Sequence, residues 1–493
     1  MPIDSLVSFE KIFRKKGRAG AGRIAHGAPL RRKKERVSAL EVFPRESALG
    51  LVNSVLGPYN ACGLFRGRRE PSFPRTDTFR PTTTEEFSMS NPAIAARMGE
   101  LIANESVQKA LAVAKEEAPR ALAEQIAIAQ IPSPTFEESR RAEEIARLLR
   151  EYGLTDVVID PSGNVVGRRP GRGAGPVVAI AAHTDTVFPM ETDVTVRSEG
   201  NLHYGPGIGD NASGLRSMLQ VLRMLEAAKI ETAGDILFVG TVGEEGNGDI
   251  RGAKALFDGS RKIDAFVALD METVARVQTG ATGAHRWRLA VDGPGGHSWL
   301  DYGRVPSAVH AIGRAIAKIA NLELPEDPKT SYTVGTIKGG TTVNTIAAHC
   351  EVDVDMRSVA MEELMKVEET ILAAFEEAVA EENARWTKAP ESAYVKLTKT
   401  KIGDRPAGQR PADCPAVNAA LEGAKALGIE VTWTGSSSTD CNMPMSLGIP
   451  AVCLGTGGHT YNEHSLKEYF DSTDMHLGPQ LALLTVLGIT GLA

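Results

Sequence analysis

Apolar and polar positions divide the chain into segments of different period. Residues 92–130 carry helical spacing, which Ile131-Pro132-Ser133-Pro134 brings to an end. A second amphipathic helix is predicted over Glu137–Tyr152, with Ala142, Ile145, Leu148 and Leu149 on one face. Asp156–Arg168 reads as two short strands joined by Pro161-Ser162-Gly163-Asn164. Uninterrupted apolar runs follow at Val177–Ala182, Asp235–Val242 and Ala265–Leu269. Such short, β-branched runs predict strands of an α/β sheet buried on both faces. Between the first two runs, a Gly-rich loop, Gly205–Gly214, opens a helix that reaches about Ile230.

From about Val277 the pattern changes. It predicts a strand at Arg286–Val291, a helix at Pro306–Ile319, and strands at Ser331–Lys338 and His349–Arg357. A helix from Met361 to about Asn383 and a strand at Ala393–Thr400 complete the series. The order β-α-β-β-α-β is the split βαβ, ferredoxin-like arrangement, and it reads as a domain inserted into the first. After Gly403 the α/β pattern resumes, with a helix near Ala416–Leu427, strands at Glu430–Trp433 and Ala451–Leu454, and a closing helix at Asp474–Gly488. The expected organisation is an extension at 1–90, an α/β domain in two parts at 91–283 and 404–493, and the insertion at 284–403.

Length agrees with more than one core, since the chain has 493 residues. No run of 18 or more apolar residues occurs, so no membrane is expected as a partner. The net charge of −7 is uneven: residues 1–90 hold 17 Lys and Arg against 9 Asp and Glu, a net +8 that leaves −15 for the rest. That segment lacks periodicity and is rich in Arg, Gly and Pro, so it is expected to be disordered, with Met89 as an alternative start. It has no apolar core of a secretory signal, and the acidic remainder argues against nucleic acid as a partner. The five cysteines show no metal spacing and read as reduced thiols of a cytoplasmic protein.

The chemistry sits where the buried strands stop. His183-Thr184-Asp185 ends the first, Glu244-Glu245 between two glycines ends the second, and Asp270 ends the third. Asp210 lies on the Gly-rich loop, which lacks the Gly-Lys-Ser/Thr ending of a phosphate loop. Open α/β sheets bind ligands at such C-terminal strand edges. Strand residues two apart share a side, so Asp185 can reach the His183 ring and fix its tautomer. With a histidine from the C-terminal segment, His459 or His464, these are ligand types that suit Zn, Co or Mn. Two cations held ~3.5–4 Å apart need a shared carboxylate, and they lower the pKa of a bridging water so that hydroxide is available. A carboxylate beside that water is still needed as general base. Neighbouring side chains diverge, so one of Glu244 and Glu245 can bind metal while the other faces the water.

The ordered set His-x-Asp, Gly-x-Asp-Asn-Ala-Ser-Gly, Glu-Glu-Gly, Asp, Gly-Gly-His-Ser and His resembles a known family. It is similar to the di-zinc exopeptidases that include carboxypeptidase G, peptidase T, dipeptidase V and the acetylornithine/succinyl-diaminopimelate deacylases. The likeness spans roughly residues 95–490. It implies a mixed-sheet α/β zinc-peptidase catalytic domain with an inserted ferredoxin-like lid and dimerisation domain. It implies two Zn2+ per chain, with Co2+ or Mn2+ as alternatives: His183 and Asp270 on one metal, Glu245 and His464 on the other, Asp210 bridging. Glu244 would be the base and Asp185 the residue that orients His183. His297, Asn344 and Arg357 would contact the scissile carbonyl or a substrate carboxylate, His297 by crossing to the partner subunit of a homodimer. The resemblance favours His464 over His459 through His464-Ser-Leu-Lys-Glu-Tyr469, and it implies a cis Asp210–Asn211 peptide. The function so implied is hydrolysis of short peptides. An N-acyl amino acid deacylase is the alternative, and a non-catalytic binding protein a distant third.

Overall fold

The computed structural model describes residues 91–409, 411 and 413–493; the expected disordered extension at 1–90 lies outside them. Where helical spacing predicts one stretch over 92–130, there are three helices, α1 (Pro92–Ala103), α2 (Glu105–Glu116) and α3 (Ala118–Ala129). The breaks have local causes. Asn104 accepts the Ser106 and Val107 amides through its side chain and caps α2, and a proline occupies the first turn of α3. Helix α4 (Ser139–Glu151) buries the predicted face.

Eight strands form the main sheet: β1 (Asp156–Ile159), β2 (Val165–Arg169), β3 (Val178–His183), β4 (Ile236–Thr241), β5 (Ala265–Met271), β6 (Arg276–Ala281), and, far along the chain, β11 (Trp433–Ser437) and β12 (Ala451–Gly455). Their order is β1-β2-β4-β3-β5-β12-β6-β11. The sheet is mixed: β4, β3, β5 and β12 run parallel, whereas β1, β2 and the β12–β6 pair are antiparallel.

Alternation along the central strands explains their continuous apolar runs. In β3, Val178, Ile180 and Ala182 join the large core, while Ala179 and Ala181 join a second core on the other face. Phe238 and Leu237 of β4, and Val267 and Phe266 of β5, divide the same way. The large core is completed by α1–α4, α5 (Ala212–Ala228), a helix at Pro415–Ala426 and the closing helix at Leu477–Thr490. One prediction shifts. The strand expected at Glu430–Trp433 lies instead at Trp433–Ser437, in a run of Thr, Gly and Ser that reads as loop. It is an edge strand paired in parallel with β6, and the ladder needs only its backbone.

Between β6 and β11 the chain builds a second sheet from β7 (Gly283–Asp292), β8 (Thr330–Gly339), β9 (His349–Ser358) and β10 (Lys396–Arg405). The order is β8-β9-β7-β10, antiparallel throughout, with helices Ala308–Ile319 and Met361–Arg385 between the strands in sequence. This is the split βαβ connectivity that the pattern predicts. Strand β10 continues to Arg405, past the expected boundary at 403. The layer has its own core, including Leu289, Ile312, Val352, Ile371 and Phe375. Among the described residues no helix is long and apolar enough to cross a membrane.

Phe375 is fully buried in that separate core. Phe375→Ala is expected to destabilise the inserted layer by about 3–5 kcal/mol. Urea unfolding should then show a first transition moved to lower denaturant, with cation binding by the main domain unchanged.

Candidate active site

The parallel strands deliver their chemistry to one edge. His183 is the last residue of β3, Asp270 the penultimate residue of β5, and Glu244-Glu245 follow β4 by three residues. The Gly-rich loop before α5 brings Asp210 across them. Gly209 is required there, because a Cβ would meet the Thr460 side chain at 2.0–2.8 Å. The Asp210–Asn211 peptide is cis, as the resemblance implies. Asn211 fixes the loop to the sheet: its side chain donates to the Leu269 carbonyl and accepts from the Gly214 amide, each at 2.9 Å.

Asp210 is the centre of the arrangement. Its Oδ1 is 3.0 Å from His183 Nε2, and its Oδ2 is 2.9 Å from His464 Nε2. His183 Nε2 also lies 3.2 Å from Asp270 Oδ1, and His464 Nε2 lies 2.9 Å from Glu245 Oε1. The five residues expected as metal ligands are thus brought together in two groups that meet at Asp210, and a third possible ligand group joins His183, Glu244 and Glu245. His464 reaches the site in a left-handed backbone conformation (φ 61°), whereas His459 sits on a short strand paired with Asp471 and does not line the cavity.

Asp185 meets the Nδ1 edge of the His183 ring with two oxygens. His183 Nδ1 is 3.1 Å from the Asp185 carbonyl and 3.5 Å from its carboxylate. The carboxylate accepts the amides of Glu244 and Glu245, both at 3.0 Å, and the Thr135 hydroxyl at 2.9 Å. Asp185 therefore ties the end of β3 to the Glu244-Glu245 turn. Glu244 is buried, with its carboxylate Oε1 2.9 Å from Arg405 Nη1. Arg405 also donates to the Glu244 carbonyl.

Electrostatics show what the cluster lacks. Burial, with the charge of Asp210, pushes Glu245 up to about 7, and burial lifts Asp270 well above the usual carboxylate range. Hydrogen bonds to Asp210 and Glu245 push His464 up to about 11. Asp210 is buried, which opposes ionisation, yet hydrogen bonds from His183 and His464 hold it below the usual range. The cluster crowds negative charge around the two imidazoles. Imidazole and carboxylate donors without thiolate, arranged around a carboxylate that faces a different imidazole with each oxygen, fit a pair of divalent cations.

A cavity of about 410 Å3 lies over these residues, lined also by Arg286, Arg357, Arg405 and Ser437–Thr439. Arg357 is held through Nε by Asp355 Oδ2 at 2.7 Å. Arg286 donates to Asp355 at 2.8 Å and to the Gly246 carbonyl at 2.7 Å. His297 and Asn344 are neighbours, since Ser298 donates to the Asn344 carbonyl at 3.1 Å, but neither lines the cavity. His297 Nδ1 accepts from the Trp299 amide at 3.2 Å. Residues that the sequence pattern does not single out include Arg405, Arg286 and Arg141. Arg141 is fully buried, donates to the Thr184 and Ile131 carbonyls, and is lowered to about 10 by burial. Arg405 meets Glu244 across 161 positions, and no local spacing signals that.

A family model, "Peptidase family M20/M25/M40", matches residues 179–487. The chain is 27% identical to the uncharacterized protein YqjE of Bacillus subtilis (strain 168), over 70% of this chain and 92% of that one. It is 26% identical to a succinyl-diaminopimelate desuccinylase of Leptothrix cholodnii, over 58% and 75%. In fold it is similar to a tripeptidase (SAV1512) of Staphylococcus aureus, with a TM-score of 0.63 at 24% identity over 75% of this chain and 97% of that one. It also matches Bacillus subtilis YXEP, a dinuclear metal binding peptidase from the M20 family, with a TM-score of 0.56 at 19% identity over 76% and 99%.

Cations that complete the charge balance should stabilise the fold by mass action, by about 2.7 kcal/mol at a hundredfold excess over Kd. After treatment with a chelator, addition of Zn2+, Co2+ or Mn2+ is expected to raise Tm. A Tm indifferent to all three would show that the cluster holds no such cation.

Proposed function

The chain belongs to peptidase family M20/M25/M40, a family of hydrolases acting on peptide and amide bonds, and within it we propose a metal-dependent exopeptidase of short peptides, of the di- or tripeptidase or carboxypeptidase type. The observation that carries the reading is Asp210, with one carboxylate oxygen against His183 and the other against His464 at the floor of a peptide-sized cavity. We assign two Zn2+ per chain, with Co2+ or Mn2+ as alternatives. His183 and Asp270 would hold one, Glu245 and His464 the other, and Asp210 both. When bound, such a pair acidifies a water molecule and polarises the scissile carbonyl.

The chain's own residues carry the protons. Glu244 takes one from the attacking water and delivers it to the leaving amine. The buried ion pair with Arg405 restrains its carboxylate beside the metal-ligand groups. Asp185 holds the Glu244-Glu245 turn in register with His183. Arg357, braced by Asp355, offers its terminal nitrogens to a substrate carboxylate, where bidentate pairing gives direction as well as charge. The layer at 284–403 acts as lid and dimerisation domain on a catalytic domain made of 91–283 and 404–493. His297 and Asn344, exposed and away from their own cavity, serve the scissile carbonyl in the partner subunit of a homodimer. The buried, unpaired thiols at 350, 414, 441 and 453 accord with a cytoplasmic setting.

The likeness to a desuccinylase supports one second reading, an N-acyl amino acid deacylase using the same machinery. A panel of dipeptides, tripeptides and N-acyl amino acids separates the two. Faster turnover of N-acyl amino acids than of any peptide would replace the first reading by the second.

Glu244→Gln is expected to lower turnover by about 10²–10⁴-fold, the usual loss for a general base, with two metals still bound. Loss of one metal in this variant, with both retained in Glu245→Gln, would reverse the two roles.

His297→Ala and Glu244→Ala should each be inactive alone and regain activity when unfolded and refolded together. In a mixed dimer with crossing over, one site collects both defects and the other none. Verified heterodimers without activity would confine His297 to its own chain.

A further inference from the structure

The contacts of the Asp210 carboxylate leave open what holds its loop in place. Behind the loop lies Glu468, only 1% exposed. Its Oε2 accepts the Gly207 amide at 2.8 Å, and its Oε1 accepts those of Gly209 and Asp210 at 2.9 and 3.0 Å. The Glu468 carbonyl accepts a fourth amide, Gly205, at 3.1 Å. The successive amides of Gly209 and Asp210 converge on one oxygen, as in an anion-binding nest, and here the chain fills it with its own carboxylate. Glu468 does not line the cavity of Asp210; it faces a separate one of about 720 Å3 on the other side of the loop.

Two features make this more than loop packing. The carboxylate spans the loop, with one oxygen on Gly207 and the other on the Gly209–Asp210 amides, and so fixes the curve that presents Asp210. It also lies four residues after His464, with a turn between them closed by the Glu468 amide on the Ser465 carbonyl at 3.0 Å. One short segment therefore supplies both the imidazole on Asp210 Oδ2 and the clamp on the Asp210 backbone.

We propose that Glu468 is the positioning residue of the shared ligand: its carboxylate locks loop 207–210 so that Asp210 spans two cations at once. This rests on the reading of Asp210 as a ligand common to two metals. Glu468 touches neither substrate nor cation. A glutamine at this position keeps the volume but turns one acceptor into a donor facing an amide. Alanine leaves the nest empty.

The test uses the Co2+-loaded protein, with spin coupling followed by electron paramagnetic resonance and stoichiometry by optical titration. The wild-type protein is expected to bind two coupled Co2+. Glu468→Gln should keep its far-ultraviolet circular dichroism and its first Co2+, lose the coupling, and bind the second Co2+ about 10–100-fold more weakly, the usual loss when a ligand's supporting contact is removed. Glu468→Ala should behave alike, and formate should restore the coupling where formamide, of the same shape but uncharged, does not. If Glu468→Gln fails to fold, Glu468→Ala refolded with formate or formamide makes the same comparison. Coupled Co2+ at wild-type affinity in Glu468→Gln overturns the proposal, as does rescue by formamide equal to that by formate, or no rescue by formate. Two uncoupled Co2+ in the wild-type protein would instead defeat the shared-ligand reading, and the proposal with it.

Discussion

Like charges govern this molecule. Asp185, Asp210, the adjacent Glu244 and Glu245, and Asp270 come from four points of the chain and meet at one sheet edge, at or beneath the floor of the cavity. Carboxylates packed so closely repel one another strongly at low dielectric. The sheet can hold them because each has a distinct restraint. Asp185 is stabilised by three uncharged donors, Glu244 is paired with Arg405, and Asp210 faces two imidazoles. Glu245 and Asp270 share those imidazoles, at 2.9 and 3.2 Å, and burial raises the pKa of both. The hydrophobic cores on both faces of β3, β4 and β5 supply the rigidity that this crowding demands.

Much of this was legible in the sequence because the signals are local. A run such as Val178–Ala182 allows only a strand covered on both faces, so the residue after it must emerge at an edge. The Gly-rich stretch around Asp210 advertises a backbone packed too tightly for side chains, and Gly209 against Thr460 is that contact. The two partners that hold Glu244 and the Asp210 loop are remote, and no period or spacing encodes them. Arg405 looks like the polar end of a lysine-rich strand. Glu468 stands in the quoted motif His464–Tyr469, but its task appears only once the segment folds onto the loop. The strand expected at Glu430–Trp433 is displaced to Trp433–Ser437, because an edge strand in parallel pairing can be built from Gly and Ser. The helical stretch at 92–130 was read as one because its period survives the breaks, although Asn104 is a legible cap.

The inserted sheet is joined to the main domain by more than its two covalent connections. Arg286, at its near end, donates to the Gly246 carbonyl, immediately after the Glu244-Glu245 pair, and the Asp404 amide donates to the Asp249 carboxylate. Arg286 shares Asp355 with Arg357. The guanidinium facing the cavity and the turn bearing two of its acids are therefore linked by a continuous polar chain. Hydrogen bonds to charged groups contribute roughly 1.5–3 kcal/mol each, so a rotation of the layer must break those at this junction or carry the Gly246 turn with it. Any such swing would tug on the Gly246 peptide before it moved the far end of the sheet. In mechanical terms the insertion is a lever with its fulcrum beside the reacting centre. At that end the layer reaches the turn carrying Glu244 and Glu245 through the hydrogen bond from Arg286 to Gly246.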